Sequence, residues 1–469
     1  MNPWLATIAF FTGIAGLFYL NRDKSNRTSK ALWLPVLWLW IVGSRPITTW
    51  LGMGSVSGDL NQAADGSPLD RLIFQIILAL GIIVIIRRGN QIKKILWGNW
   101  PILFYFSFCL LSVTWSDFPD ISFKRWVKSL GDLVMIIVIA SDANPSGAVK
   151  RVLSRVGFVL LPISVLLMKY FDNLGRGYDP EGLPMITGVT TNKNSLGVIT
   201  MVITLGVLWH AVSLFRNKDE PHRGRHLVAQ GTLLAFGVTI LLVANSATSL
   251  FCFILGAGLI LATGLPVIRR RPARVHTLIF TLLLVSGVAL LLGGGENAVH
   301  VLGRQTNFTG RTDIWRAVIP VAANPVLGTG FESFWLGPRL YLVWSQLSQY
   351  MHVNEAHNGY LEVYLNLGWI GVCLIALIFI KGYKDAVAAF RYDQMMGSLF
   401  LAYLVAAAFY SITEAGFRLL NPIWIFFLFA VVAAGSLASR ARGAEVEAPA
   451  EPAILPEFSR IPLAVPAKR

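Results

Sequence analysis

Apolar runs of 18 or more residues recur along almost the whole of this chain, and no other feature limits its folding so sharply. Each run is long enough to cross a hydrocarbon core of about 30 Å as a helix. Inside lipid the backbone must satisfy its own hydrogen bonds, so such runs become helices rather than open sheets. The period-two alternation of a membrane barrel is absent. Composition agrees: 55% of the 469 residues are hydrophobic and 14% are charged, against about 25% charged in a soluble domain. The expected fold class is an all-α integral membrane protein with 12–13 transmembrane helices. The runs fall at roughly 3–20, 31–51, 70–87, 99–115, 127–141, 152–171, 194–215, 227–244, 247–265, 275–293, 358–380, 396–413 and 419–439. Residues 3–20 lack a basic leader segment and read as the first span.

The loops carry their charge unevenly. One alternate set holds 27 Lys and Arg and the other 9. The positive-inside rule puts the richer set in the cytoplasm, the amino terminus outside and the carboxyl terminus inside. The same bias accounts for the net charge of +15 without any nucleic-acid partner. Cys109, Cys252 and Cys373 all lie within apolar runs, so no disulfide framework is expected. The chain divides into N-terminal spans (1–110), a core (111–380) that includes the outer loop 294–357, C-terminal spans (381–439) and an Ala/Pro/Glu-rich tail (440–469) that reads as disordered. At 64 residues, loop 294–357 is far longer than an ordinary connection.

That loop holds the best candidates for chemistry. Thr309-Gly310-Arg311-Thr312-Asp313-Ile314-Trp315-Arg316 opens a short helix ending at Asn324-Pro325, with Gly328 and Gly330 turning the chain. Arg311 at a helix start can contact an anion, or can simply be a solvated arginine. The loop closes with Asn354-Glu355-Ala356-His357-Asn358-Gly359-Tyr360-Leu361-Glu362, where His357, Leu361 and Tyr364 share a helical face and Glu362 lies on another. His357 suits a general base for a sugar hydroxyl; an interfacial histidine bonded to a carbonyl is the plainer reading, and His352 is a nearby competitor. Further polar islands on the same side are Trp115–Arg125, Thr190–Ser195 and Asn245–Ser249. Lys124, Arg125 and Lys193 run against the positive-inside trend; they bind an anionic group or pair with Asp117 or Asp120. Glu414 and Arg418 flank the last outer turn, placed to pair with each other. Trp315, Trp335, Trp344 and Trp369 offer ring faces for sugars or an aromatic belt. There is no phosphate-binding Walker loop, HExxH, clustered Cys/His, Asp-x-Asp or GxSxG.

Taken together, GRTDIW, NPVLGTGFESFW and EAHNGYLEVYLNLGWIG, with WSDFPDISFKR and TTNKNSLG before them, resemble the bacterial O-antigen ligase/polymerase family, and within it the exopolysaccharide polymerase branch. The resemblance covers roughly 110–380. It implies a metal-independent, inverting glycosyltransferase of the multi-span type, without cofactor, in the bacterial inner membrane. The donor would be a glycan on undecaprenyl pyrophosphate, and the acceptor a second glycan, or lipid A core in a ligase. Other polysaccharide assembly proteins would be partners alongside the bilayer. Arg311 would contact the pyrophosphate or help position the donor, and His357 would activate the acceptor hydroxyl or stabilise the reaction centre. Lys193 and Arg125 would make secondary pyrophosphate contacts, with Asn194, Arg304, Glu355 and Asn358 also facing substrate. One departure stands out: many relatives carry an arginine after the serine at Ser246, where this chain has Ala247. Lys193 or Arg304 would take its place. A lipid-linked glycan transporter and a non-catalytic assembly subunit are the rivals. The first requires ionisable residues at mid-span, and nearly all the charges here sit near span ends.

Overall fold

The computed structural model of the chain describes residues 2–22, 28–53, 66–179, 182–291, 309–348 and 352–447. The helices of nine or more residues are α1 (Pro3–Leu20), α2 (Trp33–Val42), α3 (Pro68–Arg88), α4 (Asn90–Gly98), α5 (Trp100–Leu111), α6 (Pro119–Ala140), α7 (Pro145–Tyr170) and α8 (Lys193–Arg216). They continue with α9 (Arg223–Val243), α10 (Ala247–Ala262), α11 (Arg274–Leu291), α12 (Thr309–Val318), α13 (Gly337–Ser345), α14 (Gly359–Tyr392), α15 (Gln394–Thr413) and α16 (Pro422–Glu447). Among the described residues the only strands are a hairpin, β1 (Arg176–Tyr178) against β2 (Pro184–Ile186).

This is an all-α, multi-span membrane protein. Among the described residues, eight helices are long and apolar enough to cross a bilayer: α1, α3, α7, α8, α9, α14, α15 and α16. The run at 99–115 belongs to a helix pair bent by 84° at Asn99, and the runs at 31–51, 247–265 and 275–293 contain shorter apolar helices. The run at 127–141 is the second half of α6, whose first half is polar and charged. α8, α15 and α16 are buried along most of their length, whereas α1 and α3 expose most of theirs. Apolar side chains on every face suit the first three to the bundle centre and the last two to lipid contact. α14 packs on α15 and α16, and α8 on α7, α9 and α10.

One span is broken. Hydropathy runs smoothly through Leu-Asn-Leu-Gly-Trp-Ile-Gly, yet Gly368 adopts φ 62°, ψ −164° inside α14. The break strands carbonyls and amides that lipid cannot satisfy. The segment after α12 takes them up. Thr329 N and Gly330 N donate to Leu365 O and Asn366 O (3.1 and 2.8 Å), and Trp369 N and Ile370 N donate to Pro325 O and Val326 O (2.9 and 3.3 Å). Asn366 Oδ1 accepts from Ser333 N and Phe334 N (2.9 and 3.0 Å). The Asn-Pro-Val-Leu-Gly-Thr-Gly stretch is therefore a plug for a broken helix, and residues 328–336 are buried. A Cβ on Gly368 would lie 2.2 Å from Val326 C and O, in a backbone region that disfavours side chains. Gly368→Ala is expected to cost at least about 2 kcal/mol and to lower the thermal midpoint of the purified protein. Gly13→Ala in α1, with nothing within 4 Å of its Cβ, is the control and should be near neutral.

Candidate active site

The broken helix brings its leading residues against the end of α15. Gly359 abuts Ser411 and Gly416, and Tyr360 Oη donates to Ala408 O at 3.1 Å. Asn358 caps the helix: its Oδ1 accepts from Leu361 N (2.9 Å) and its Nδ2 donates to Ile412 O (3.1 Å). Asn358 is thus engaged by the protein at both ends of its amide. His357 precedes this cap at φ 46°. It lies outside the helix, so the expected helical face with Leu361 and Tyr364 does not form.

From that position His357 reaches two carboxylates. Its Nδ1 lies 3.0 Å from Glu355 Oε1 and 3.2 Å from Glu414 Oε2. Arg311, in the first turn of α12, places Nη2 2.7 Å from Glu414 Oε1. Asn194, in the first turn of α8, sets Nδ2 3.4 Å from both Glu414 oxygens. Glu414 therefore gathers Arg311, His357 and Asn194 from three separated segments, with its own side chain only 5% exposed. Next to this point Thr248 and Thr413 share a hydroxyl bond of 2.9 Å, bringing in the Asn245–Ser249 island.

A second charged group adjoins the first. Arg418 donates through Nε and Nη2 to Glu332 Oε2 (3.2 and 3.0 Å) and through Nη1 to Asn354 O (3.0 Å). It also lies 3.8 Å from Glu355 Oε2. Glu414 and Arg418 do not pair with each other; each turns to a different partner across the site. Sequence reasoning passed over Glu332, because nothing local marks a glutamate between Phe331 and Ser333 as buried.

These contacts fix the charge state. Burial alone would lower the pKa of His357, but hydrogen bonds to Glu355 and Glu414 and the negative charge of both raise it to about 10. Burial would raise Glu355, yet His357, Arg418 and Arg311 bring it down to about 2. Arg418 is held above its ordinary value: burial works against the cation, and Glu332, Glu362 and Glu355 outweigh it. The resting site thus contains an imidazolium, two guanidinium groups and carboxylates. A histidine charged at neutral pH cannot accept a proton there, which argues against His357 as a general base in this state. Glu355, His357 and Glu414 offer ligand atoms all within 4.8 Å of one another, a geometry that can hold a cation. Arg311 and Arg418 already supply positive charge to two of those carboxylates.

The other candidate residues divide. Lys193, beside Asn194, is half-buried and forms no hydrogen bond or ion pair among the described residues. Arg125 is buried and donates to Glu332 O at 2.6 Å, so it braces the plug segment. Arg304 lies outside the described residues. Asp117 pairs with Arg339 at 2.7 Å rather than with Lys124 or Arg125, and Lys124 stays exposed. The Trp115–Arg125 island and Ser112 just before it dock the plug: Ser112 Oγ accepts from Phe331 N at 2.9 Å and Ser116 abuts Gly330.

Three of the four tryptophans are committed to the scaffold: Trp315 to Ala356 O (2.8 Å), Trp335 to Glu362 (2.9 and 3.0 Å) and Trp344 to Val353 O (2.7 Å). Trp369 is exposed at the helix break. His352 is exposed and packs edge-on against Trp344. Arg45, also unremarked in the sequence, secures the loop that leads into Asn194 by donating to Thr190 O (3.0 Å), Gly188 O (3.2 Å) and Leu174 O.

A multi-span helical bundle with a compact charged cluster, formed where a long loop closes on a broken helix, is the class of protein that fold and site define. Residues 232–376 match the family described as O-Antigen ligase. That stretch is similar to the O-antigen ligase family, in keeping with a membrane glycan ligase or polymerase. It includes Arg311 and His357 but neither Asn194 nor Glu414. No curated protein matches the chain.

Proposed function

We propose that this protein is a glycan polymerase of the bacterial inner membrane, transferring an oligosaccharide from undecaprenyl pyrophosphate to a glycan acceptor on the periplasmic face. The observation that carries the reading is the convergence of Arg311 and His357, from opposite ends of the long loop, on the one carboxylate of Glu414. Outside the cytoplasm there is no ATP, so the energy of transfer must reside in the donor, and a pyrophosphate leaving group supplies it. In the transfer the acceptor oxygen bonds to the anomeric carbon, the bond from that carbon to phosphate breaks, and the electron pair leaves on the pyrophosphate. One displacement of this kind inverts the anomeric centre.

Arg311 and the imidazolium of His357 stabilise the charge that grows on the leaving group. Lys193 stands at the rim as a further phosphate contact, in place of the arginine that this chain lacks after Ser246. When the donor draws Arg311 away, Glu414 is left free to take the acceptor's hydroxyl proton. This reading needs no metal. Treatment with a chelator is expected to leave transfer within about two-fold of the untreated rate, where loss of an essential metal would remove several kcal/mol of transition-state stabilisation.

Polysaccharide size in a deletion strain tests the reading. Complementation with wild type should restore long polymer, whereas Arg311→Ala at matched membrane level should leave single repeat units on the lipid carrier. Loss of long-chain lipopolysaccharide without stalled single units would make the protein a ligase for lipid A core. Wild-type behaviour of Arg311→Ala would favour an assembly subunit.

A further inference from the structure

Glu332 performs a task that leaving-group stabilisation does not explain. It is 6% exposed and adopts φ 52°, a left-handed backbone that costs a non-glycine residue energy. Its carbonyl accepts from Arg125 on α6, and its carboxylate accepts from Arg418. One residue thus ties the plug segment to α6 and to the last turn of the bundle. Arg418 then touches the segment that carries His357, at Asn354 O and at Glu355. A buried ion pair seldom adds net stability over well-packed apolar side chains. A strained backbone spent on one suggests a positional role.

We infer that Glu332 and Arg418 form a positioning clasp that sets Glu355 beside His357 and so fixes the orientation of the imidazole during glycan transfer. The inference rests on the reading above of His357 as a group that faces the donor. The charged groups around the imidazole are Glu355 from its own segment, Glu414 after α15, Arg311 from α12 and Arg418 from the last turn. With Glu332 made neutral, Glu362 stays tied to Trp335 and Ala356 N, and Glu355, 3.8 Å away, is the carboxylate within reach of Arg418. The carboxylate is then drawn toward the guanidinium and away from Nδ1.

The test uses full-length protein in lipid nanodiscs, with Glu332→Gln, Glu332→Asp and Arg418→Lys. Two readouts are taken: titration of the His357 ring by ¹³C NMR, assigned with His357→Asn, and transfer rates from a pyrophosphate-linked oligosaccharide. Glu332→Gln is expected to lower the His357 midpoint by about one unit or more, since one unit is a tenfold change in proton affinity. It should also lower kcat about tenfold with donor KM within about two-fold. Glu332→Asp should recover most of both. An unmoved midpoint overturns the clasp, as does a raised KM at constant kcat, which would put Glu332 against the donor. A loss that follows only the amount of folded protein also overturns it. Should Glu332→Gln not fold, Arg418→Lys keeps the charge, loses the two-pronged grip and is read by the same criteria. If wild type transfers no glycan, the functional reading fails while the titration still decides the clasp.

Discussion

Replacing His357 with alanine is expected to lower glycan transfer about 10²–10³-fold, the usual loss on removing one group that stabilises developing charge. The protein should keep its helical content. His357 holds φ 46°, so alanine adds backbone strain of about 1 kcal/mol. His357→Asn, a residue that tolerates this region, separates strain from chemistry: it should be as inactive as alanine and more stable.

The pH profile gives the role of His357 a sign. Its pKa is raised from an ordinary 6.5 to about 10 in the folded protein. The stability it contributes is therefore full below 6.5 and is lost as pH rises through 10. Glu355 runs the other way: it is depressed from 4.5 to about 2, and its contribution is present above 4.5 and lost as pH falls through 2. Transfer that depends on the imidazolium should hold level through neutral pH and fall as pH approaches 10. Transfer that used His357 as a base would rise over the same interval. Measuring kcat/KM from pH 6 to 10.5 in nanodiscs distinguishes them.

That the chain is an all-α, multi-span membrane protein could be read from hydropathy because lipid imposes a one-dimensional rule on helix length and composition, although five of the thirteen runs do not form single span-length helices among the described residues. The break at Gly368 could not. Glycine is ordinary in membrane helices, and the amides and carbonyls that make this break tolerable come from residues 325–330, far away in sequence. The same holds at the site. Arg311, Asn194 and His357 are visible as polar residues where apolar runs end, and the fold does bring them together. Their shared partner, Glu414, looked local to Arg418 because only sequence distance was available. The capping role of Asn358 could have been read as well: an asparagine three residues before the leucine whose amide it accepts, at the start of an apolar run, is a helix-capping pattern. Glu332 carried no such sign. Its burial depends on Arg418 and Arg125, which approach from opposite ends of the chain.

Glu414→Gln should be the second severe change, through a different physical route. Glutamine keeps the shape and removes the charge that holds Arg311 at 2.7 Å and His357 at 3.2 Å. Removing one member of a buried pair leaves the other uncompensated, at about 3–5 kcal/mol when both are dry. Arg311 and His357 are about a quarter exposed, so water shares the load and about 2 kcal/mol is the expected loss of stability. Transfer should fall about 10²–10³-fold, because the proton acceptor and the anchor of both cations go together. The double variant Arg311→Gln/Glu414→Gln decides how the two effects are linked. It should regain part of the lost stability, since no charge is left without a partner on that side. It should transfer about as fast as the slower single variant, since both groups serve one displacement. Additive losses in rate would instead mean that Arg311 and Glu414 act at separate points, and the convergence on Glu414 would then be a structural contact alone.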